Sequence, residues 1–186
     1  PGDIRVLNKI LPVRISRLEE LANNLWVSWH PQGRAVFRAM NYPVWRTSGH
    51  NPVKELHETP YERLEEVAND NTFLSLYDTA IEAFDKDMTD GHSWYVNKHR
   101  GEMVGPVAYF SAEFAFHNSL PIYAGGLGVL AGDIVKESSD IGLPMTAIGL
   151  MYPQGYFHQR FSEEGWQEET YEQLDFDRSP ITSCPM

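Results

Sequence analysis

The chain has 186 residues, 42% of them hydrophobic, enough apolar material for one domain or a small domain with part of another. Fifteen Lys and Arg against 26 Asp and Glu leave a net charge of -11, a field that repels the phosphates on which nucleic-acid affinity rests, so nucleic acid is not an expected partner. One cysteine, Cys184, excludes a disulfide framework and suits a reducing compartment. No run approaches the roughly 20 apolar residues that span a bilayer, and "PGDIRVLNKILP" has none of the features of a signal peptide. A cytoplasmic protein without a membrane partner is the expectation. The first residue is not Met, and "SPITSCPM" ends the chain without a helix or strand, so it reads as a piece of something longer.

From Leu11 to about Met88 the pattern is helical. In "PVRISRLEELANNLWVSW" the residues Ile15, Leu18, Leu21, Ala22, Leu25, Trp26 and Trp29 recur at spacings of three and four, one apolar stripe. Pro31 forces a break near His30, because proline disfavours helix at the residue before it. "QGRAVFRAM" forms a short second helix, and "NYPVWRTSGHNP" reads as a turn-rich connection. Thr59 and Pro60 make a helix start, a hydroxyl cap followed by a ring whose missing N–H costs nothing. Tyr61, Leu64, Val67 and Ala68 form the buried face of that helix. After "NDN" the stripe Phe73, Leu74, Leu76, Tyr77, Ala80, Ile81 and Phe84 marks the next.

Past Asp85 the texture turns polar and glycine-bearing, which reads as a connection. "VAYFSAEF" then suits a short buried strand, and a helix is expected over roughly Val129 to Asp140. "LPMTAIGLMY" is a second apolar strand, and "QGYFHQRFSEEGWQEETY" a hairpin turning near "SEEG". Strand, glycine loop, helix and strand open a βαβ unit with a parallel sheet. The fold class is therefore α/β: a helical domain over residues 1–88, a connection over 89–106 and the beginning of a sheet domain over 107–186.

The loop "YAGGLG" asks why the backbone is left bare at Gly125, Gly126 and Gly128. A tight turn or close packing is one answer. The other is an anion site, since a helix start points unpaired N–H groups and about half a positive charge at the loop. The spacing fits neither G-x-G-x-x-G nor G-K-[ST], so neither a dinucleotide fingerprint nor a P-loop is supported. Glu113, at the end of the first strand among Phe110, Phe114 and Phe116, is the candidate partner of this loop, because open α/β sheets bind ligands beyond the carboxyl ends of their strands. A purely structural carboxylate, satisfied by backbone N–H groups, explains it equally well. The seven histidines are scattered without ligand spacing, so a metal is not expected. His117 alone lies between Glu113 and the loop. The five tryptophans are read as core rather than sugar platforms, Trp26 and Trp29 outright.

Taken together, "YFSAEFAFHNSLPIYAGGLGVLAGDIVKESSDIGLPMTAIGLMYPQGYFHQ" from Tyr109 to Gln159 resembles the N-terminal catalytic half of the α-glucan phosphorylases. Upstream, "LPVRISRLEELANNLWVSWHP" through "FRAMNYPVWRTSGHNPV" is similar to the helical N-terminal domain of the family's shorter bacterial and archaeal branch. Ser-x-Glu-Phe, Gly-Gly-Leu-Gly and Gln-Gly-Tyr-Phe in that order carry the resemblance. It implies a GT-B fold with Rossmann-like domains, and phosphorolysis of α-1,4-glucans by inorganic phosphate to glucose 1-phosphate. It also implies pyridoxal phosphate in the full-length enzyme, acting through its phosphate group. By that match Gly125, Gly126, Leu127 and Gly128 form the substrate loop, with the Gly126 and Leu127 amides at phosphate and glucose. Glu113 is the active-site glutamate that positions loop and sugar. Val129 stands where many animal and plant members carry arginine, and Ala115 where an aromatic residue packs near the cofactor, so a side-chain phosphate contact at Val129 is in doubt. The cofactor lysine belongs to the other half of the family fold, so this piece alone is expected to bind no pyridoxal phosphate and to be inactive. A homo-oligomer is possible through exposed sheet edges. Two other readings stand beside this one. A nucleotide-sugar glucan synthase of the same fold would show a basic residue ahead of the glycines, where Ile122, Tyr123 and Ala124 stand. A non-catalytic glucan-binding or assembly module would use the helical region as an interaction domain.

Overall fold

The computed structural model describes residues 10–89, 93–99, 105–171 and 173–182. Parts of the expected connection (90–92 and 100–104) and Cys184 lie outside these. The chain is a mixture of helices and two small sheets, divided into two compact units. One runs to Thr89 and takes back the stretch from Asp175 on; the other lies between.

The helical unit holds α1 (Leu18–Ala22), α2 (Pro31–Met40), α3 (Tyr42–Thr47), α4 (Pro52–Glu58), α5 (Tyr61–Ala68) and α6 (Asn71–Thr89). Short 3₁₀ turns sit at Val13–Ile15, Leu25–Ser28 and Phe176–Arg178. A single stripe from Leu11 to Trp29 is not what forms. The Asn24 side chain accepts the Trp26 N–H at 2.9 Å and restarts the chain as a 3₁₀ turn, which leaves Trp26 buried but Trp29 only half-buried. The same device recurs at Asn41, which accepts from Val44 N–H at 3.5 Å, and at Asn51, which accepts from Lys54 N–H at 3.0 Å. With Pro43 and Pro52 in their first turns, α3 and α4 occupy much of the stretch expected as a turn-rich connection.

Thr59 does not cap α5. It ends α4 by giving its N–H to Glu55 O at 2.9 Å, its hydroxyl accepts from the Asn41 side chain at 3.4 Å, and Pro60 is the capping residue without a side-chain bond. Tyr61 and Leu76, expected in apolar faces, are exposed. The α6 helix continues to Thr89, and a further short helix, α7 (Trp94–Lys98), lies within the expected connection. The core gathers Ile15, Leu18, Leu21, Trp26, Phe37, Met40, Leu56, Leu64 and Phe84, with α2 resting chiefly on α6. Each such side chain contributes roughly 1.5–3 kcal/mol by leaving water.

In the second unit, β1 (Val107–Phe110) pairs in parallel with β2 (Met145–Ile148), Val107 opposite Met145 and Phe110 opposite Ile148. The helix α8 (Gly126–Asp140) lies between them in sequence, and it starts three residues earlier than Val129. The β1 strand is not buried: Phe110 is 70% exposed, because β2 is its only paired neighbour among the described residues. Next come β3 (His158–Phe161) and β4 (Gln167–Thr170), an antiparallel hairpin turning at Ser162–Trp166. Trp166 in that turn and Trp94 in α7 are exposed rather than core.

Candidate functional site

Beyond β1 the chain runs on by one ladder bond, Ser111 N–H to Ile148 O at 3.1 Å, and then folds back. The Ser111 hydroxyl donates to Glu113 O at 2.9 Å and accepts the Glu113 N–H at 3.4 Å, a local turn that the serine alone closes. Tyr152 steadies the turn from outside, its hydroxyl donating to Ala112 O at 3.0 Å. Phe114 is the hydrophobic pin: it is buried, stacks on Phe116 at 5.4 Å and meets Tyr109 edge-on at 5.9 Å. A side chain on Gly149 would come within 2.8 Å of the Phe114 ring, so the glycine after β2 makes room for the pin.

This frame aims Glu113 at the glycine loop. Its Oε2 accepts the backbone N–H groups of Ala124 and, at 3.1 Å, of Gly125. Two successive donors just before a helix are thereby satisfied by one carboxylate, a charge-assisted arrangement of the stronger kind. The Gly128 and Val129 N–H groups reach Gly125 O at 3.1 and 3.3 Å. The Gly126 and Leu127 amides lie between these sets, at the helix start, where the geometry supplies no intrahelical acceptor.

The glycines divide into two kinds. A β-carbon on Gly128 would stand 2.7 Å from Tyr123 Cβ and 3.0 Å from Glu113 Oε2, and one on Gly132 would overlap the Ala115 carbonyl oxygen. Gly128 and Gly132 share one face of α8 and let the 113–115 segment lie directly on it, with Ala115 N–H reaching Gly128 O at 2.8 Å. At Gly125 and Gly126 a β-carbon would meet nothing. Gly125 is in ordinary extended backbone, φ −158° and ψ −155°. The positive-φ glycines among the described residues are Gly49, Gly142 and Gly165, none of them in the loop.

The structure thus brings Glu113, Gly125 and Gly128 together. Gly126 and Leu127 lie exposed beside them. His117 engages its own turn instead: its Nδ1 accepts the Ser119 N–H at 3.2 Å and lies 3.0 Å from Ser119 Oγ, which puts the proton of the neutral ring on Nε2. Val129 is exposed at the side of the loop. Ser111, Tyr123, Gly132, Gly149 and Tyr152 support the arrangement and were not singled out from sequence. The four-residue spacing of Gly128 and Gly132 was the visible sign of a close approach to one helix face.

A helical unit followed by a strand–glycine loop–helix–strand unit, with a carboxylate fastened to the loop, defines the class. Residues 11–120 match the family described as protein of unknown function (DUF3417), and the chain belongs to that family. It is also similar to curated phosphorylases over nearly its whole length. It is 38% identical to the maltodextrin phosphorylase of Thermococcus litoralis over 179 residues, 95% of this chain and 21% of that protein. It is 39% identical to the glycogen phosphorylase of Aquifex aeolicus over 88% of this chain and 23% of that protein. For the glycogen phosphorylase of Mycobacterium tuberculosis the identity is 38%, over 92% of this chain and 20% of that protein. The chain spans about a fifth of the length of these relatives. No solved structure matches it. Among the described residues no helix is long and apolar enough to cross a membrane.

Proposed function

We propose that the chain is the N-terminal part of an α-glucan phosphorylase, which cleaves α-1,4-glucans with inorganic phosphate to give glucose 1-phosphate in the cytoplasm. The observation that carries this is the alignment of 95% of the chain with a maltodextrin phosphorylase at 38% identity. The second unit, with its parallel pair around α8, is then the beginning of a Rossmann-like domain of a GT-B fold. Its loop supplies the Gly126 and Leu127 amides as preorganised donors toward phosphate and glucose, the kind of donor that stabilises charge developing in a transition state. Glu113 is a positioning residue in this reading. By holding Ala124 and Gly125 it fixes the direction in which the next two amides point.

Pyridoxal phosphate, when bound to the whole enzyme, supplies a phosphate group that exchanges a proton with the substrate phosphate. The residues present here do not fit a covalent site for it. The described lysines of the second unit are Lys98 and Lys136, and Lys136 stands ten residues along α8 from Gly126, about 15 Å at the helical rise. No step is therefore assigned through that group, and the chain alone is expected to be inactive.

The test is a chimera in which this segment replaces the matching part of the T. litoralis maltodextrin phosphorylase. A folded chimera that releases glucose 1-phosphate from maltoheptaose and phosphate supports the reading; a folded but silent one overturns it. Within the active chimera Gly126→Ala should lower phosphorolysis roughly a hundredfold, because the new methyl group holds the ligand away from the amide, and one such donor is worth a factor of about 100–1,000. Its melting temperature should hold, because the new methyl group meets nothing in the protein.

A further inference from the structure

Gln-Gly-Tyr-Phe, residues 154–157, has no task in the function proposed above. It lies in the run from β2 to β3, and that run meets the Glu113 turn and the glycine loop at separate points. Tyr152, half-buried, donates its hydroxyl to Ala112 O at 3.0 Å, on the residue before Glu113. At Gly155 a β-carbon would stand 2.9 Å from Pro121 O and 3.1 Å from Pro121 Cβ, so the backbone there lies directly on the proline. Gly155 is not among the positive-φ glycines, and the approach to Pro121 is what keeps it bare. Pro121 opens the segment that reaches Ala124 and Gly125, whose N–H groups meet Glu113 Oε2. The run is fixed in turn: Pro153 O accepts the Leu174 N–H at 2.9 Å, and Gln154 pairs antiparallel with Gln173.

One carboxylate thus spans two pieces of chain, 112–114 and 121–125. Phe114 N–H reaches Ile122 O at 3.0 Å, which joins the pieces directly. Tyr152 and Gly155 join them a second time, by way of residues 152–155. A second tie matters because a hydrogen bond weakens steeply once its distance and angle leave a narrow range. Donors that await a ligand act only while they are correctly aimed.

We propose that Tyr152 and Gly155 are positioning residues of the glycine loop: they set Ala112 and Pro121 at the separation that lets Glu113 hold the Ala124 and Gly125 amides. The brace itself stands on these contacts alone; its effect on catalysis rests on the phosphorolysis reading.

Two variants test it. Tyr152→Phe removes the hydroxyl and keeps the ring, and Gly155→Ala puts a methyl group against the Pro121 carbonyl. In the 186-residue chain, amide exchange at Ala124 and Gly125 should quicken by about tenfold in each, the usual worth of one hydrogen bond. The Val107 amide, bonded to Pro144 O at 2.7 Å, and the amides of α8 should stay within about twofold. In a Glu113→Ala background, Tyr152→Phe should change Ala124 and Gly125 no further, because the two act through one contact. Unchanged exchange at Ala124 and Gly125 would overturn the brace, and so would an equal rise at Val107 and along α8. Tyr152→Phe, which adds no bulk, decides alone if Gly155→Ala does not fold. In the active chimera, Tyr152→Phe should lower kcat about tenfold while the KM for maltoheptaose holds within about twofold, as for donors misaimed in the transition state. Faster exchange with normal turnover would overturn the catalytic part. A chimera silent before any substitution would overturn the phosphorolysis reading instead, and exchange then decides the brace by itself.

Discussion

Burying Glu55 is costly to the helical unit, and the cost depends on pH. It is fully buried, neither carboxyl oxygen has a hydrogen-bond partner, and burial pushes its pKa up to about 9. The Asn41 N–H pulls the other way but is bonded to Phe37 O at 3.5 Å and satisfies neither oxygen. Below pH 4.5 the carboxyl is protonated in both folded and unfolded chains and exerts no pH dependence. Between 4.5 and 9 the unfolded chain releases the proton while the folded chain keeps it, so stability falls as pH rises, by about 1.4 kcal/mol per unit. From pH 5 to pH 8 that is about 4 kcal/mol, a large share of the usual 5–15 kcal/mol of a folded domain. Asp85, held below its ordinary value by the hydrogen bond from Arg17, acts at lower pH, and the histidines, which titrate inside this window, are common to wild type and to a Glu55 variant.

Glu55→Gln keeps the shape and removes the titration. Wild type and variant are unfolded in urea at pH 5, 6, 7 and 8, followed by the fluorescence of the buried Trp26 and Trp45. The wild type should lose about 4 kcal/mol over this range, roughly 10 °C in melting temperature for a chain of this size, and the variant should lose far less. At pH 8 the variant should be the more stable of the two. Parallel curves with a constant offset would refute the reasoning, since the carboxylate would then have found water or a partner in the folded state.

The other predictions concern packing. Gly128→Ala should cost about 1–3 kcal/mol as an overpacking change, because Tyr123 and Glu113 stand against the new methyl group; thermal melting of the second unit checks it. Gly132→Ala should cost at least as much, since the obstacle is the Ala115 backbone, and should loosen the adjoining buried Phe114, read as a weaker near-ultraviolet circular dichroism signal. Trp26→Ala should cost about 3–5 kcal/mol, because the indole is buried against Phe84 and its N–H donates to Asp87 at 2.8 Å; urea unfolding measures it.

The helical character of residues 11–88 was readable because a period of 3.6 persists over several turns, and the strand–helix–strand order because short apolar runs flank the glycine loop and its helix. What escaped was local. Asn24, Asn41 and Asn51 look like turn letters, but each starts a helical turn through its own side chain, and Asn41 also ends the helix before it. Glu55 looks like a solvated residue in "PVKELHE"; only the arrival of neighbouring helices seals it. Around the site, Glu113 and the loop stood out by residue type. The Ser111 turn and the Phe114 pin did not, since each has meaning only against a partner brought up by folding.

The bare backbone of the loop now has separate causes. Gly128 is small because Tyr123 and Glu113 occupy the space a methyl group would need. Gly125 is the capping residue of α8, a position where glycine is favoured for itself. Gly126 has neither reason: it is the first residue of the helix, without positive φ and with open space around its would-be β-carbon. Glycine is a poorer helix former than alanine, and among the described residues no neighbour stands in the way of a side chain there. In the proposed function the demand comes from a ligand that approaches the backbone closely. Of the loop glycines, Gly126 is therefore the one whose replacement separates binding from folding.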